Sequence, residues 1–369
     1  MLKKSLSMFL LFLFCSVTLI YGQQDKETNP PVVPILGTQL QKLHSEIVGQ
    51  DYDLYVNLPR NYSDTTKNFP VLYVLDGQWD FALAESLFGQ QYYDGFVPEI
   101  IVVGITWGGE NPNYDVLRAR DFTPTKTMQN PQSGNAPKFL EFIEKELIPF
   151  MESKYRVSKT DRALMGSSLG GLFTLYTLFH KTSLFDRYIL TSPALQWDND
   201  ITYKYEKEFS EKNSSLPVRI YMAYGQYEPG PMFQKFIDVF KSRNYKGLAF
   251  KSDMIENMGH SGTKAYGYSK GLQFAYLRPS INLDDAVLEK YSGNYEIMKG
   301  INVKLTVEDH QLVAYAPGSP KLILEAETDK DFYYKGAYLF LHFKKDDAGN
   351  VTGCTLSQFT GENFLKKVN

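Results

Sequence analysis

One short segment limits the fold more than any other part of the chain. Ala163 to Met165 predict a short buried strand, and Leu169 to His180 predict a helix. Gly166-Ser167-Ser168-Leu169-Gly170-Gly171 lies at their junction. Glycines two residues before and after Ser168 permit the tight, strained turn that presents a serine hydroxyl at the top of a sheet. The alternative is an ordinary Gly-Ser turn between a strand and a helix.

The chain up to about residue 280 alternates strand-like with helix-like segments. Residues 137–154 carry the apolar spacing of a helix, and short apolar runs predict the strands. Such alternation predicts an α/β fold, with a mostly parallel sheet and helices on both of its faces. The further predicted strands are 44–58 (one strand or two), 69–75, 99–105, 188–191, 218–224 and 248–255.

Beyond residue 280 the pattern changes to short strand-like segments separated by turn signals such as Pro317-Gly318. This pattern predicts a small antiparallel β domain. Its predicted strands are 303–307, 311–316, 321–325, 332–334, 338–343 and 351–357. The predicted organisation is a signal peptide (1–22), a linker (23–34), an α/β domain (35–280) and the small all-β domain (284–369).

The first 22 residues predict an export signal. Two lysines precede an apolar run from Met8 to Ile20, which is short for a bilayer span, and Gly22 offers a small residue for cleavage. An uncleaved anchor is the alternative. Cleavage leaves Cys354 as the one cysteine, so we expect no internal disulfide, which favours a bacterial periplasm or outer surface. We expect no stable membrane insertion after cleavage.

Composition excludes several classes of protein. The 369 residues carry a formal charge of −3, with 43% hydrophobic and 22% charged residues, a globular rather than a disordered balance. The chain has no long Lys/Arg run, so we expect no nucleic-acid partner. It also has no Cys/His cluster with zinc spacing, and we expect neither a metal nor an organic cofactor.

A serine nucleophile needs a base, and chain order selects one histidine. His260 follows the predicted strand 248–255, in a loop with glycines on either side, and it lies C-terminal to Ser168. That is the order in which α/β-hydrolases place the two residues. The other histidines lie before the serine, on its own helix or in the β domain: His44, His180, His310 and His342.

The third member of such a triad is a carboxylate at the end of the preceding strand. Glu228 lies just after the predicted strand 218–224, at the edge where open α/β sheets carry catalytic groups. It would hold the imidazole of His260 in the correct tautomer. A plain role as an acid at a helix N-terminus is the alternative for Glu228. Three other carboxylates compete for the same part: Asp198, Asp200 and Glu256.

An oxyanion hole needs two N–H donors. Leu169, the residue after the serine, provides the first of them. The candidate for the second is the backbone N–H of Gln78, in the segment Asp76-Gly77-Gln78-Trp79 after the strand 69–75. An ordinary Asp-Gly turn is the alternative there.

The chain resembles one family in four segments: Val74-Leu75-Asp76-Gly77-Gln78, Gly166–Gly171, Gly225-x-x-Glu228 and Gly259-His260-Ser261. They are similar to the esterase-D-like branch of the α/β-hydrolase superfamily, over roughly residues 35–278. That branch includes enterobactin-type siderophore esterases and secreted feruloyl and acetyl esterases. The resemblance implies the fold and the triad but not the substrate. The triad acid of the branch is often Asp and sometimes Glu.

A further segment, from Arg118 to Pro124, resembles the R-x-x-D-[FY]-T-P segment of the siderophore-esterase side of the branch. The resemblance implies that Arg118 lines the pocket, which favours an anionic substrate, and that Trp197 lies near the site with Ser192-Pro193. Pairing of Arg118 with Asp121 is the alternative. Two aromatic residues beside the proposed site are further candidates for substrate contact: Trp79 and Tyr227.

The tail resembles a small β-barrel-type module appended to bacterial exported hydrolases, through Tyr291-x-Gly293-x-Tyr295. The whole chain is therefore predicted to be a secreted serine esterase that works through an acyl-enzyme. Its expected substrate is a siderophore-type lactone or a feruloyl or acetyl ester of a glycan. An acyltransferase on the same triad and a non-catalytic glycan- or surface-binding protein are the alternatives. The oligomeric state and the role of the tail stay open.

Overall fold

The computed structural model describes residues 33–60, 62–63, 65 and 67–368. The predicted signal peptide and most of the predicted linker lie outside these residues. The second of the chain's two units, Gly37–Asn369, is compact and contains every described strand and helix. Among the described residues, no helix combines the length and the apolar character that crossing a membrane requires.

The first part of this second unit is a mixed sheet of eight described strands. Their bounds are β1 Thr38–Ser45, β2 Gln50–Asn57, β3 Phe69–Val74, β4 Ile101–Trp107, β5 Val157–Ser167, β6 Arg187–Thr191, β7 Arg219–Gly225 and β8 Ala249–Ile255. The order across the sheet is β1-β2-β4-β3-β5-β6-β7-β8. β2 is antiparallel to both of its neighbours, and the remaining pairs are parallel. The predicted mostly parallel sheet is therefore confirmed.

Helices cover both faces of the sheet, as predicted. The described helices here are α1 Gly77–Tyr93, α2 Tyr114–Phe122, α3 Ala136–Phe142, α4 Ile148–Lys154, α5 Leu169–His180, α6 Ile201–Ser210, α7 Gly230–Ser242 and α8 Thr263–Ala275. A π-helical turn, Ile143–Leu147, joins α3 to α4 within the single helix that the sequence predicts. α1 and α8 pack together on one face, and α2 to α7 lie on the other.

The alternation of strand side chains explains why the sheet has a core on each face. Successive residues of a strand point to opposite faces, and in β3 Val71 and Tyr73 join one apolar cluster while Leu72 and Val74 join the other. Every residue of β4 is buried. A strand covered on both faces is a continuous apolar run, which is the pattern that marks these segments in the sequence.

The last part of the unit is a closed antiparallel barrel of eight described strands. Their bounds are β9 Gly293–Met298, β10 Ile301–Glu308, β11 Gln311–Tyr315, β12 Leu322–Ala326, β13 Asp331–Tyr334, β14 Leu339–Lys345, β15 Val351–Gln358 and β16 Gly361–Val368. A short helix, α9 Asp285–Leu288, precedes it. The sequence pattern predicted six of these strands but not β9 and β16, which pair with each other and close the barrel. In β16 only Leu365 is buried, so its sequence lacks a strong alternating pattern.

The barrel contacts the α/β part at the far end of α1. The rings of Tyr92 and Tyr338 lie 5.1 Å apart, and those of Tyr93 and Phe359 lie 4.9 Å apart. Gly77, at the other end of α1, follows the carboxyl end of β3. A helix of this length spans about 25 Å, so the barrel and the carboxyl edge of the sheet lie on opposite sides of the α/β part.

Candidate active site

The turn between β5 and α5 has the strained geometry that its glycines predict. Ser168 has φ 58° and ψ −117°, a conformation that non-glycine residues rarely adopt. A Cβ built at Gly166 would lie 2.6 Å from the carbonyl carbon and oxygen of Gly170, so a larger residue does not fit there. The half-buried Ser168 thus lies in a turn whose two sides, at Gly166 and Gly170, pack closely against each other, as a nucleophile elbow requires.

His260 and Glu228 are joined by a hydrogen bond. His260 Nδ1 lies 2.7 Å from Glu228 Oε1, with the carboxylate 7% exposed and the imidazole 52% exposed. A carboxylate that accepts from Nδ1–H leaves Nε2 as the ring's acceptor, which is the tautomer that a general base needs. The ring therefore has the orientation and the accessibility of a base for an incoming substrate.

The structure distinguishes between the carboxylates that the sequence left in competition. Among the carboxylates of the described residues, only Glu228 pairs with the imidazole of His260. Asp198 and Asp200 lie in the positive-φ turn before α6. Glu256 is exposed in the turn after β8. Glu228 is thus the acid that the geometry favours.

The Glu228 carboxylate is held by a network of hydrogen bonds whose partners the sequence did not reveal. Its Oε2 accepts hydrogen bonds from Ser192 Oγ at 2.6 Å and from the Gly225 N–H at 2.7 Å. Ser192 Oγ lies 3.0 Å from Thr263 Oγ1, which donates to the His260 carbonyl at 2.7 Å. The network ties the acid to the histidine loop. Ser192 comes directly after β6 and belongs to the Ser192-Pro193 segment that the resemblance placed near the site, whereas no signal in the sequence marked Thr263.

Gly225 shows why the histidine loop can approach β7 so closely. A Cβ at this position would collide with the Met258 carbonyl. The Tyr227 N–H also donates to that carbonyl, at 3.1 Å. The loop that carries His260 therefore packs directly on the turn that carries Glu228, which brings the two side chains within hydrogen-bond distance.

The two predicted oxyanion donors lie in the first turns of two helices. Gln78 is the second residue of α1 and Leu169 is the first residue of α5. N–H groups in a first turn have no intrahelical acceptor and carry the positive end of the helix dipole. A Cβ built at Gly170 would lie 3.4 Å from Asp76 Oδ2, so the start of α5 packs against the turn that begins α1. Both helix starts thus belong to one small region.

Arg118 pairs with Asp76, and the alternative of an Arg118–Asp121 pair is wrong. Arg118 Nε and Nη2 each lie 2.8 Å from an oxygen of the buried Asp76 carboxylate. Asp121 instead accepts from Arg120 at 2.7 Å. Burial disfavours the charge of Arg118, but the hydrogen bonds and charge of Asp76 outweigh it and raise the pKa of Arg118. Arg118 therefore clamps the turn that carries Gln78.

A second buried ion pair joins α1 to α8, and no motif in the sequence indicated it. Lys264 Nζ and Tyr268 OH each donate to the Asp80 carboxylate at 2.7 Å. Burial raises the pKa of Asp80 above its usual value, although Lys264 opposes this effect. The pair connects the first turn after Gln78 to the first turn after His260, so it braces the two sides of the site against each other.

Two of the three predicted aromatic contacts are chain neighbours of these groups. Trp79 follows Gln78 and is 48% exposed, and Tyr227 precedes Glu228 and is 72% exposed. Trp197 is half-buried, and its Nε1–H donates to Thr125 Oγ1 at 3.1 Å. Trp79 and Tyr227 thus offer accessible ring surface next to Gln78 and Glu228.

Comparison with known proteins identifies the family to which this chain belongs. The family model named Esterase matches residues 45–235, just over half of the 369 residues. The chain belongs to this esterase family. The ferri-bacillibactin esterase BesA of Bacillus subtilis (strain 168) is 30% identical over 209 residues, which cover 53% of this esterase and 72% of BesA.

Two further relatives agree with this assignment. The siderophore triacetylfusarinine C esterase of Aspergillus fumigatus is 28% identical over 240 residues, covering 62% of this chain and 81% of its own. The crystal structure of an IroE-like serine hydrolase from Shewanella oneidensis matches with a TM-score of 0.58 and 28% identity, covering 65% of this chain and 80% of its own. The esterase is a carboxylic ester hydrolase in the siderophore-esterase branch of the α/β-hydrolase superfamily, as the four motifs indicated.

Proposed function

We propose that this protein is an exported serine esterase that cleaves siderophore esters with Ser168, His260 and Glu228. The observation that carries the proposal is the 2.7 Å bond between His260 Nδ1 and Glu228 Oε1, on a loop at the same sheet edge as the strained Ser168 turn. A serine, a histidine and an acid in this chain order are the parts that acyl transfer to water requires.

The proposed reaction proceeds in two halves. Ser168 Oγ attacks the ester carbonyl while its proton passes to His260 Nε2, and Glu228 stabilises the imidazolium. The N–H groups of Gln78 and Leu169 bind the negative oxygen of the tetrahedral intermediate. The imidazolium then protonates the departing alcohol and leaves an acyl-enzyme. Water, deprotonated by the same histidine, releases the acid and restores the serine.

The proposed substrate class rests on the relatives and on the ring surfaces beside the site. BesA is a ferri-bacillibactin esterase, and the Aspergillus relative acts on triacetylfusarinine C. Trp79 and Tyr227 offer accessible ring faces for stacking on planar groups. Since Asp76 already neutralises Arg118, the choice of substrate depends on these rings more than on a free cation. A siderophore ester with aromatic iron-binding groups fits this surface.

The test is a substrate panel for the wild type and Ser168→Ala. It contains bacillibactin with and without iron, p-nitrophenyl butyrate, methyl ferulate and acetylated xylan. We expect the highest kcat/KM on bacillibactin, and loss of all hydrolysis in Ser168→Ala. A preference for methyl ferulate or xylan would overturn the substrate class while leaving the mechanism intact. An active Ser168→Ala would overturn the mechanism.

Export is part of the proposal because an apolar run, Met8 to Ile20, follows two lysines and precedes Gly22. An esterase outside the cytoplasm would meet siderophores before or during their uptake. The measurement is cell fractionation with N-terminal sequencing of the recovered protein. Recovery outside the cytoplasm with a new N-terminus near residue 23 is the expected result. Cytoplasmic protein that keeps its first 22 residues would contradict export.

A further inference from the structure

The two ends of the C-terminal barrel are filled differently. At one end, aromatic rings close the interior: Tyr291 lies 4.3 Å from Phe343, and Phe332 lies 5.5 Å from Phe343, measured between ring centroids. All three rings are buried. Leu288, the last residue of α9, and Tyr291, in the turn between α9 and β9, pack into the same cluster. This end of the barrel is therefore plugged.

The other end contains a cavity of about 200 Å³. Aliphatic side chains form most of its wall, among them Leu305, Ala314, Leu341, Leu356 and Leu365. The small side chain of Ala314 leaves space that a larger residue would fill. None of its described lining residues carries a charge. Ile297, at the rim, is 37% exposed, and Gln358 is exposed as well, so the cavity opens to solvent at this end.

We propose that this cavity is a binding site for one small, neutral, apolar molecule, such as a single aromatic ring or an alkyl group of similar size. An eight-stranded barrel is wide enough either to be filled by its own side chains or to hold one small ligand. A cavity of about 150 Å³ with aliphatic and aromatic walls binds benzene in another protein. The space and the lining here meet both conditions.

The wall chemistry favours an apolar occupant over water. A buried water needs two to four polar partners, and the polar side chains along this wall are few. Ser319 and Gln358 lie toward the rim, and the Tyr295 hydroxyl already donates to the Tyr291 carbonyl at 2.8 Å. Cys354 contributes a buried thiol, whose pKa burial raises to about 12, so it stays uncharged at neutral pH. Displacing water from such a wall therefore costs an apolar molecule little free energy.

The site is separate from the proposed triad. The barrel contacts the α/β part through Tyr92 and Tyr93, at the end of α1 that is remote from Gln78. A ligand in the barrel would therefore not compete with an ester at Ser168. Binding in the barrel does not depend on the proposed ester substrate, so either proposal can fail without the other.

The test uses iodobenzene as the probe on the full-length protein. We expect an anomalous iodine peak inside the barrel, between Leu305, Leu341 and Cys354, and a rise in Tm on the order of 2 °C at about ten times Kd. Ala314→Phe fills the cavity and should abolish both signals. Ile323→Phe adds the same ring to the neighbouring strand at a 43% exposed position outside the cavity, and it should keep both.

Activity and circular dichroism identify a variant that has failed to fold. If Ala314→Phe loses the wild-type spectrum, the smaller Ala314→Leu takes its place with the same expected loss of binding. Hydrolysis of p-nitrophenyl butyrate should be unchanged in all three variants. Absence of iodine from the barrel would overturn the proposal, as would a folded cavity-filled variant that binds iodobenzene as well as the wild type.

Discussion

The carboxyl edge of the sheet, which carries the candidate active site, and the interior of the barrel differ in how they accommodate polar groups. At the edge, buried carboxylates are paired with specific cationic side chains, Asp76 with Arg118 and Asp80 with Lys264. In the barrel, the aliphatic end of the interior has no charged lining residue among those described. Ester chemistry needs strained, paired polar groups, whereas holding an apolar molecule needs only a space of the right size.

Ser168→Ala is expected to have the largest effect and to separate the two regions completely. Removing the nucleophile should lower kcat by about 10⁴- to 10⁶-fold. Iodobenzene binding in the barrel and the Tm should stay at wild-type values, since the substitution removes one oxygen at the other side of the molecule. Steady-state kinetics and thermal unfolding measure both. A loss of barrel binding in this variant would show that the two regions are coupled.

Glu228→Gln tests the acid that the geometry favours. Gln keeps the shape but no longer stabilises the imidazolium or fixes the tautomer of His260, so kcat should fall by about 10³- to 10⁴-fold. Asp200→Asn is the matched control, because Asp200 makes no hydrogen bond to His260 in the described structure. It should retain nearly full activity. Equal losses in the two variants would refute the assignment of Glu228.

Two substitutions compare a buried ion pair at the carboxyl edge of the sheet with a more exposed pair in the barrel. Lys264→Met leaves the buried Asp80 without its cation, and the free energy of unfolding should drop by about 2–4 kcal/mol. The barrel counterpart is Lys335→Met, which breaks the more exposed Lys335–Glu325 pair and should cost less than about 1 kcal/mol. Urea denaturation measures both. Similar costs would contradict the contrast between the regions.

The smallest expected effect is a pH dependence of stability from His180, on α5. Burial lowers the pKa of His180 below its ordinary 6.5. The unfolded chain therefore binds this proton more readily, and His180 lowers stability as pH falls below about 6.5. His180→Gln should flatten that part of the stability curve between pH 7 and 5.

Comparing the wild type with His180→Gln separates the effect of His180 on stability from that of His44, which is present in both proteins. The hydrogen bond to Asp51 raises the pKa of His44, so His44 acts in the opposite sense. Thermal unfolding across the pH range is the measurement. An unchanged slope in His180→Gln would show that its burial has no such consequence.

The alternation of elements and the chain order of the motifs could be predicted because they are local. The Leu169–His180 helix matches the structure in both bounds, since its apolar pattern and the glycines before it act over a few residues. The barrel was predicted only in part. Its closing strands, β9 and β16, are far apart along the chain and pair with each other, and no local pattern in Gly361–Val368 marks that pairing.

The sequence by itself determined the α/β class, the strained turn at Ser168 and the choice of His260. Glycine spacing, apolar periodicity and chain order are properties of the sequence alone and do not depend on how distant segments pack. Only the tertiary structure decided that Glu228, rather than Asp198 or Asp200, meets that histidine. It also decided that Arg118 meets Asp76. The physical reason is that similar local patterns place many carboxylates near a strand end, and only the packing of distant segments selects which one comes within hydrogen-bond distance.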